Sequence, residues 1–211
     1  IHLELPLDEA GLRRVAQDVV DACRERWPDR EVVLRIVVTR GAGAVGLDTD
    51  LATEANLVVI GRPLSRLPEA YYTDGVPLVV SQVRRNAAKA LAPHLKTGNY
   101  LVNMMALHEA RQRGGFEAVM LNARGRITEC TTSNLFFVHG GVVSTPDLGS
   151  ELLPGITRDS VIGLCRDLGI EVRQRPLLRR DARAADECFI TSSIKEIVPV
   201  RTWDGRPVGD P

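Results

Sequence analysis

Two turn signals, Asn122–Gly125 and Gly140-Gly141, and the polar stretch Thr131–Ser133 between them cut residues 116–146 into four short runs. That pattern constrains the fold more than any other feature of the chain. "FEAVML", "RITEC", "NLFFVH" and "GVVSTP" are too short for helices, and the turns between them predict two successive β-hairpins. "IEVRQRPL" and "ECFITSS" are read as further strands, and Asp204-Gly205 as the turn of a last hairpin. Two helices accompany them. "YLVNMMALHEARQRGG" places Leu101, Met105 and His108 on one face, with Met104 and Leu107 beside them, and Gly114 ends it. "LPGITRDSVIGLCRDLG" is a loop running into a helix whose stripe is Val161, Ile162, Cys165 and Leu168, stopped by Gly169.

The first part of the chain reads as a smaller α/β unit. "PLDEAGLRRVAQDVVDACRERW" predicts a helix capped by Asp8, with Leu12, Val15, Val19 and Cys23 at helical spacing. "EVVLRIVVTRG", "NLVVIGRPL" and "VPLVVSQVR" predict strands, and "AYYTDG" a turn-bearing loop. "RRNAAKALAPHLKTGN", with Pro93 and Gly98 and no clean period, reads as a connection. The expected organisation is a small partial α/β domain over 1–85, a connection over 86–96 and a large domain over 97–211. The fold class is α/β, of the two-domain α+β kind.

Composition excludes several functions. A formal net charge of zero argues against a surface built for nucleic acid. No apolar run approaches the roughly 18 residues of a membrane span. The four cysteines, Cys23, Cys130, Cys165 and Cys188, form no C-x-x-C pair and match no zinc spacing, so no metal site is expected and a reducing, cytoplasmic compartment fits best.

The candidate chemistry begins with Glu129. In "ITECTTSNLFFV" it stands with Thr131, Thr132, Ser133 and Asn134 directly before an apolar run that draws them inward. A buried carboxylate is costly unless a cation or hydrogen-bond donors meet it. Only three of the 27 basic residues are lysines, which makes the census of amine nucleophiles short. Lys96, in "HLKTGNY", is read as semi-buried and open to activation by desolvation. A solvent-facing loop lysine is the plainer reading. Lys89 and Lys195 read as solvated. "LPGITRDSV" supplies a Gly155 for close backbone approach and a Thr157 able to cap the helix, whose first N–H groups would suit a phosphate. "FITSSIKEI" adds Thr191, Ser192 and Ser193 at a strand end. An ordinary capped helix and an ordinary turn explain these two segments equally well. An amine, a carboxylate for a ring nitrogen and a phosphate cup together match pyridoxal 5'-phosphate (PLP).

At this point the residues resemble a known family. "LKTGNYLVNMMALHEARQRGGFEAVMLNARGRITECTTSNLFFV", "STP", "LPGITRDSVI", "ADECFITSSIKEIVPV" and "DGRPVGD" follow in the order of the fold-type IV (class IV) PLP-dependent aminotransferases. That group holds branched-chain and D-amino-acid aminotransferases and aminodeoxychorismate lyases. The resemblance implies a D-amino-acid-aminotransferase-like fold with the cofactor at the domain interface. It makes Lys96 the Schiff-base and proton-transfer residue, pairs Glu129 with the pyridine nitrogen, and sets Tyr100 on the cofactor's phenolic oxygen. Ile156, Thr157, Ser192 and Ser193 would hold the phosphate. Arg35 and Arg40 flank a strand that borders the substrate pocket in relatives, although each also reads as a surface arginine. The implied activity is amino transfer between an amino acid, branched-chain favoured, and a 2-oxo acid such as 2-oxoglutarate, by a homodimer. Aminodeoxychorismate lyase, D-amino-acid aminotransferase and a non-catalytic homologue are the alternatives. Relatives carry further chain before the point matching Ile1, with an arginine on the phosphate, and continue beyond Pro211. The sequence is therefore expected to be part of a longer protein.

Overall fold

A computed structural model describes residues 3–209. The chain forms two compact units that divide between Arg66 and Leu67.

The first unit is one helix on a two-stranded sheet. Helix α1 (Glu9–Arg26) starts where expected, with Asp8 accepting a 2.7 Å hydrogen bond from the Gly11 N–H. Strands β1 (Val32–Thr39) and β2 (Asn56–Pro63) pair antiparallel, with Leu34 opposite Gly61 and Val38 opposite Leu57. A Cβ on Gly61 would lie 2.4 Å from Cys23 Sγ and 2.8 Å from a Val19 methyl carbon. Glycine is thus what lets α1 lie flat on β2 and bury Cys23.

The second unit opens with a short helix, α2 (Ala70–Thr73), in the segment expected to be a loop. Its Tyr71 ring meets Phe116 edge-on at 5.2 Å, and that packing holds the turn helical. In chain order there follow β3 (Val76–Arg84), α3 (Leu101–Gln112), β4 (Glu117–Leu121), β5 (Ile127–Cys130), β6 (Asn134–His139), β7 (Val142–Thr145), α4 (Ile156–Asp167), β8 (Val172–Gln174), α5 (Arg179–Arg183), β9 (Glu187–Ser192), β10 (Glu196–Trp203) and β11 (Arg206–Pro207). Both predicted hairpins form, β4–β5 and β6–β7, as does the last one, β10–β11.

These strands make one mixed sheet in the order β5-β4-β3-β10-β9-β6-β7-β8, with β11 on β10. The sheet curls, because Leu177, just after β8, bridges back to Ile127 of β5 at the other end of the order. Side chains alternate between two buried faces, which explains the near-continuous apolar runs. Val119, Leu121, Leu135 and Phe137 enter the core inside the curl. Ala118 and Met120 pack toward α3, and Phe136 toward α4.

Three expectations are corrected here. Strand β3, expected in the first part of the chain, pairs in parallel with both β4 and β10, so it is a central strand of the large sheet and the boundary lies well before Arg85. Helix α3 does not bury its large residues. Leu101, Met104 and Met105 are 69%, 66% and 53% exposed, while Ala106 and Ala110 are fully buried against Val79, Ala118 and Met120. Small residues four apart let the helix axis approach the sheet closely, and Glu109 pins it there by accepting from Ser81 Oγ at 2.6 Å and the Gln82 N–H at 2.9 Å. On α4, Val161, Ile162 and Cys165 are buried as expected, but Leu168 sits at the C-cap and is exposed.

Candidate active site

The site is organised around Glu129 of β5. Its side chain is 9% exposed and forms an ion pair with Arg85, which leaves β3 directly after its last residue. The other carboxylate oxygen accepts the Leu153 N–H at 3.0 Å and Asn134 Nδ2 at 3.2 Å. Burial pushes the Glu129 carboxyl up to about 7, against the pull of Arg85, the Leu153 N–H and the charge of Lys96. Among these influences the Lys96 charge is a lesser one, acting on the carboxylate without a direct bond to it.

Of the two sequence readings of Lys96, the structure shows the plainer one. It is exposed rather than semi-buried, because the segment from 86 to 99 lies on the surface with no regular strand or helix. Its Nζ donates to the Tyr100 hydroxyl at 3.0 Å, one helical turn on at the start of α3. The amine is thus aimed by a phenol on a helix rather than by enclosure.

The start of α4 also departs in detail. Its N-cap is Gly155, not Thr157, and no side chain caps the first turn. The leading N–H groups of a helix have no partner within it, so those of Ile156 and Thr157 are available to an anion. Gly155 is required by crowding. A Cβ there would lie 2.0 Å from Asn134 Oδ1.

Asn134 is the junction of these parts, a role that sequence reasoning did not assign it. Its amide donates to Glu129 and, at 3.0 Å, to the Leu153 carbonyl just ahead of α4. Its backbone lies opposite Thr191 in the β6–β9 register, next to Ser192 and Ser193 at the end of β9. Ser192 is partly buried and Ser193 exposed. Glu129, the α4 start and the β9 end therefore converge on one residue. Arg85 was also missed. Among so many arginines nothing local marks it, and only the parallel pairing of β3 with β4 carries it to β5. Lys195, read as solvated, is 15% exposed and ion-paired with Glu117. Arg35 and Arg40 belong to the first unit, where Arg35 is exposed on β1 and Arg40 follows that strand. Among the described residues no group of His, Cys, Asp and Glu side chains could hold a metal ion.

An amine beside a phenol, a buried carboxylate and an uncapped helix start fit the ring nitrogen, aldehyde and phosphate of PLP. The profile of the amino-transferase class IV family matches residues 1–203. The chain belongs to this family. Class IV aminotransferases are PLP-dependent enzymes, and their mixed α/β fold is the one described above. The sequence is 39% identical over 181 residues to the putative branched-chain-amino-acid aminotransferase of Methanocaldococcus jannaschii, a match covering 86% of this chain and 62% of that protein. The crystal structure of Escherichia coli branched-chain amino acid aminotransferase superposes with a TM-score of 0.91 at 31% identity, over 99% of this chain and 68% of that one. An aminotransferase from Brucella abortus, solved with PLP bound, gives 0.86 at 27% identity, over 98% and 71%. This class IV chain thus spans about two thirds of the length of these relatives.

Proposed function

We propose that the protein is a PLP-dependent aminotransferase that moves an amino group between a branched-chain amino acid and a 2-oxo acid such as 2-oxoglutarate. The observation that carries this reading is the buried Glu129 carboxylate, held by Arg85, Asn134 and the Leu153 N–H within the field of the Lys96 amine. Similarity to branched-chain enzymes over most of the chain supports the substrate class.

In this reading Lys96 Nζ would hold the cofactor, and the same amine would take the substrate's Cα proton as a general base and return it as a general acid. Bound PLP supplies an electron sink for the pair left at Cα. Glu129 would pair with the ring nitrogen, and Arg85 pulls its raised carboxyl toward the ionised form that this pairing needs. Tyr100 orients the Lys96 amine and reaches the cofactor's phenolic oxygen. The Ile156 and Thr157 N–H groups, the Thr157 hydroxyl, and Ser192 and Ser193 hold the phosphate. Arg35 and Arg40 are assigned to the substrate carboxylate.

The working form is proposed to be a homodimer. The exposed Leu101, Met104 and Met105 on α3 offer apolar side chains suited to a second copy. A cytoplasmic location accords with four buried cysteines, none of them in a disulfide. No helix among the described residues is long and apolar enough to cross a membrane.

The test is a spectrum of the PLP-loaded protein as L-leucine, D-alanine and aminodeoxychorismate are added in turn. L-Leucine is expected to convert the cofactor to its amine form, and 2-oxoglutarate to restore it. Pyruvate release from aminodeoxychorismate without an amino acceptor would instead establish the lyase, and a protein that takes up no cofactor would overturn the reading altogether.

A further inference from the structure

Lys195 is the third residue after Ser192, in the turn between β9 and β10. Its side chain runs inward. Nζ meets Glu117 Oε1 at 2.5 Å and donates to Thr132 Oγ1 at 2.6 Å and Ser133 Oγ at 2.9 Å. A lysine ammonium has three N–H groups, and all three are used. Both hydroxyls then donate onward to Glu117 Oε1, at 2.6 and 3.0 Å, while the other Glu117 oxygen accepts the Thr132 N–H at 3.1 Å. Glu117 is 3% exposed, so the carboxylate at the centre of this network is desolvated, with exposed Thr132 at its edge, and the network ties together β4, the β5–β6 connection and the β9–β10 turn.

The two chain segments it joins carry Ser192 and, through Ser133, Asn134. On one side, the Lys195 N–H donates to Ser192 Oγ at 3.2 Å, and Glu196 completes the turn in the left-handed region at φ 59°, a conformation that a non-glycine residue adopts only under constraint. On the other, the Cys130 N–H donates to the Ser133 carbonyl at 2.8 Å, and the next residue, Asn134, holds Glu129. A buried ion pair is a poor source of net stability, since an apolar pair of the same volume often serves as well. What it does supply is a fixed geometry.

We propose that Lys195 is a positioning residue for the cofactor. Through Glu117 it sets the place of the Ser192–Ser193 turn relative to Glu129, and so the grip on the phosphate, without touching the cofactor. The inference rests on the proposed function, because it takes that turn as part of the phosphate site.

The experiment titrates PLP and its dephosphorylated form, pyridoxal, into apo-protein and follows visible absorbance, for wild type, Lys195→Met and the double variant Glu117→Gln/Lys195→Met. The double variant leaves no unpaired charge buried and guards against misfolding of the single one, with circular dichroism as the check. Loss of a charge-assisted restraint is expected to weaken PLP binding about tenfold or more while pyridoxal binding stays within about twofold. Equal losses for both ligands would mean a purely structural lysine, and unchanged PLP affinity in a folded variant would mean no role at all. Either result overturns this inference and leaves the PLP assignment standing. A wild-type protein that binds neither ligand overturns both.

Discussion

The Asn134 amide and the Glu129 carboxylate lie 3.2 Å apart, and Leu153 closes the ring between them by donating its N–H to Glu129 and accepting from Asn134. This small cycle joins β5, β6 and the loop that delivers α4. It fixes a carboxylate for a ring nitrogen and a helix start for a phosphate in one frame. The distance between those two elements is therefore set by side-chain hydrogen bonds rather than by the sheet alone.

Crowding at this junction makes Gly155 irreplaceable. In Gly155→Ala the new methyl would have to displace the Asn134 side chain, from which it is built only 2.0 Å away. Overpacking of this kind costs about 1–3 kcal/mol. Urea unfolding should show that loss, and PLP titration should show weaker binding, since Asn134 can no longer hold Glu129 and Leu153 together.

Arg85 is predicted to matter for stability as well as for chemistry. Arg85→Met leaves Glu129 buried without its cation, and breaking one half of a buried pair costs about 3–5 kcal/mol. The loss should be seen in urea unfolding above about pH 8, where Glu129 is ionised, and should shrink near pH 5, where a protonated carboxyl needs no cation. A loss that is the same at both pH values would count against the pairing.

Glu129 also predicts a pH dependence of the apo-protein. Its carboxyl is raised by burial from 4.5 to about 7. Between those values the folded chain keeps a proton that the unfolded chain has released. The stabilisation linked to that proton is complete below about pH 4.5 and is lost as pH rises through about 7, with a total on the order of 3 kcal/mol. Unfolding measured in wild type and Glu129→Gln should therefore differ by an amount that declines over this window and is flat above about pH 8.

Lys96→Ala removes the amine and should abolish the covalent visible colour of the PLP-loaded protein. Turnover should fall about a thousandfold or more, the scale of lost general acid–base catalysis. Tyr100→Phe keeps the amine but frees it from its 3.0 Å partner. A smaller loss is expected there, with the colour retained. Normal transamination by Lys96→Ala would remove this lysine from the mechanism.

The candidates for the proposed site were legible where they depend on residue type in a local setting. A carboxylate set against an apolar run, a scarce lysine beside a turn, and a Gly-Ile-Thr helix start can each be recognised within a dozen residues. The hairpins and the Asp8 cap follow from local turn and capping chemistry in the same way. Residue type did not reveal which helix face would be buried. In α3 the large apolar residues point outward because two alanines fit the sheet more closely than leucine or methionine could.

The sequence by itself determined the hairpins and most of the strands, since these follow from periodicity and turn chemistry along a short stretch, and it singled out Lys96 and Glu129 as candidates through the family resemblance. Only the tertiary structure decided that Arg85, Asn134 and Glu129 meet, that β3 lies at the centre of the large sheet, and that Lys195 turns inward to Glu117. Those outcomes depend on which strands become neighbours. Pairing is settled by burial summed over the whole curled sheet, a quantity that no short window of residues contains.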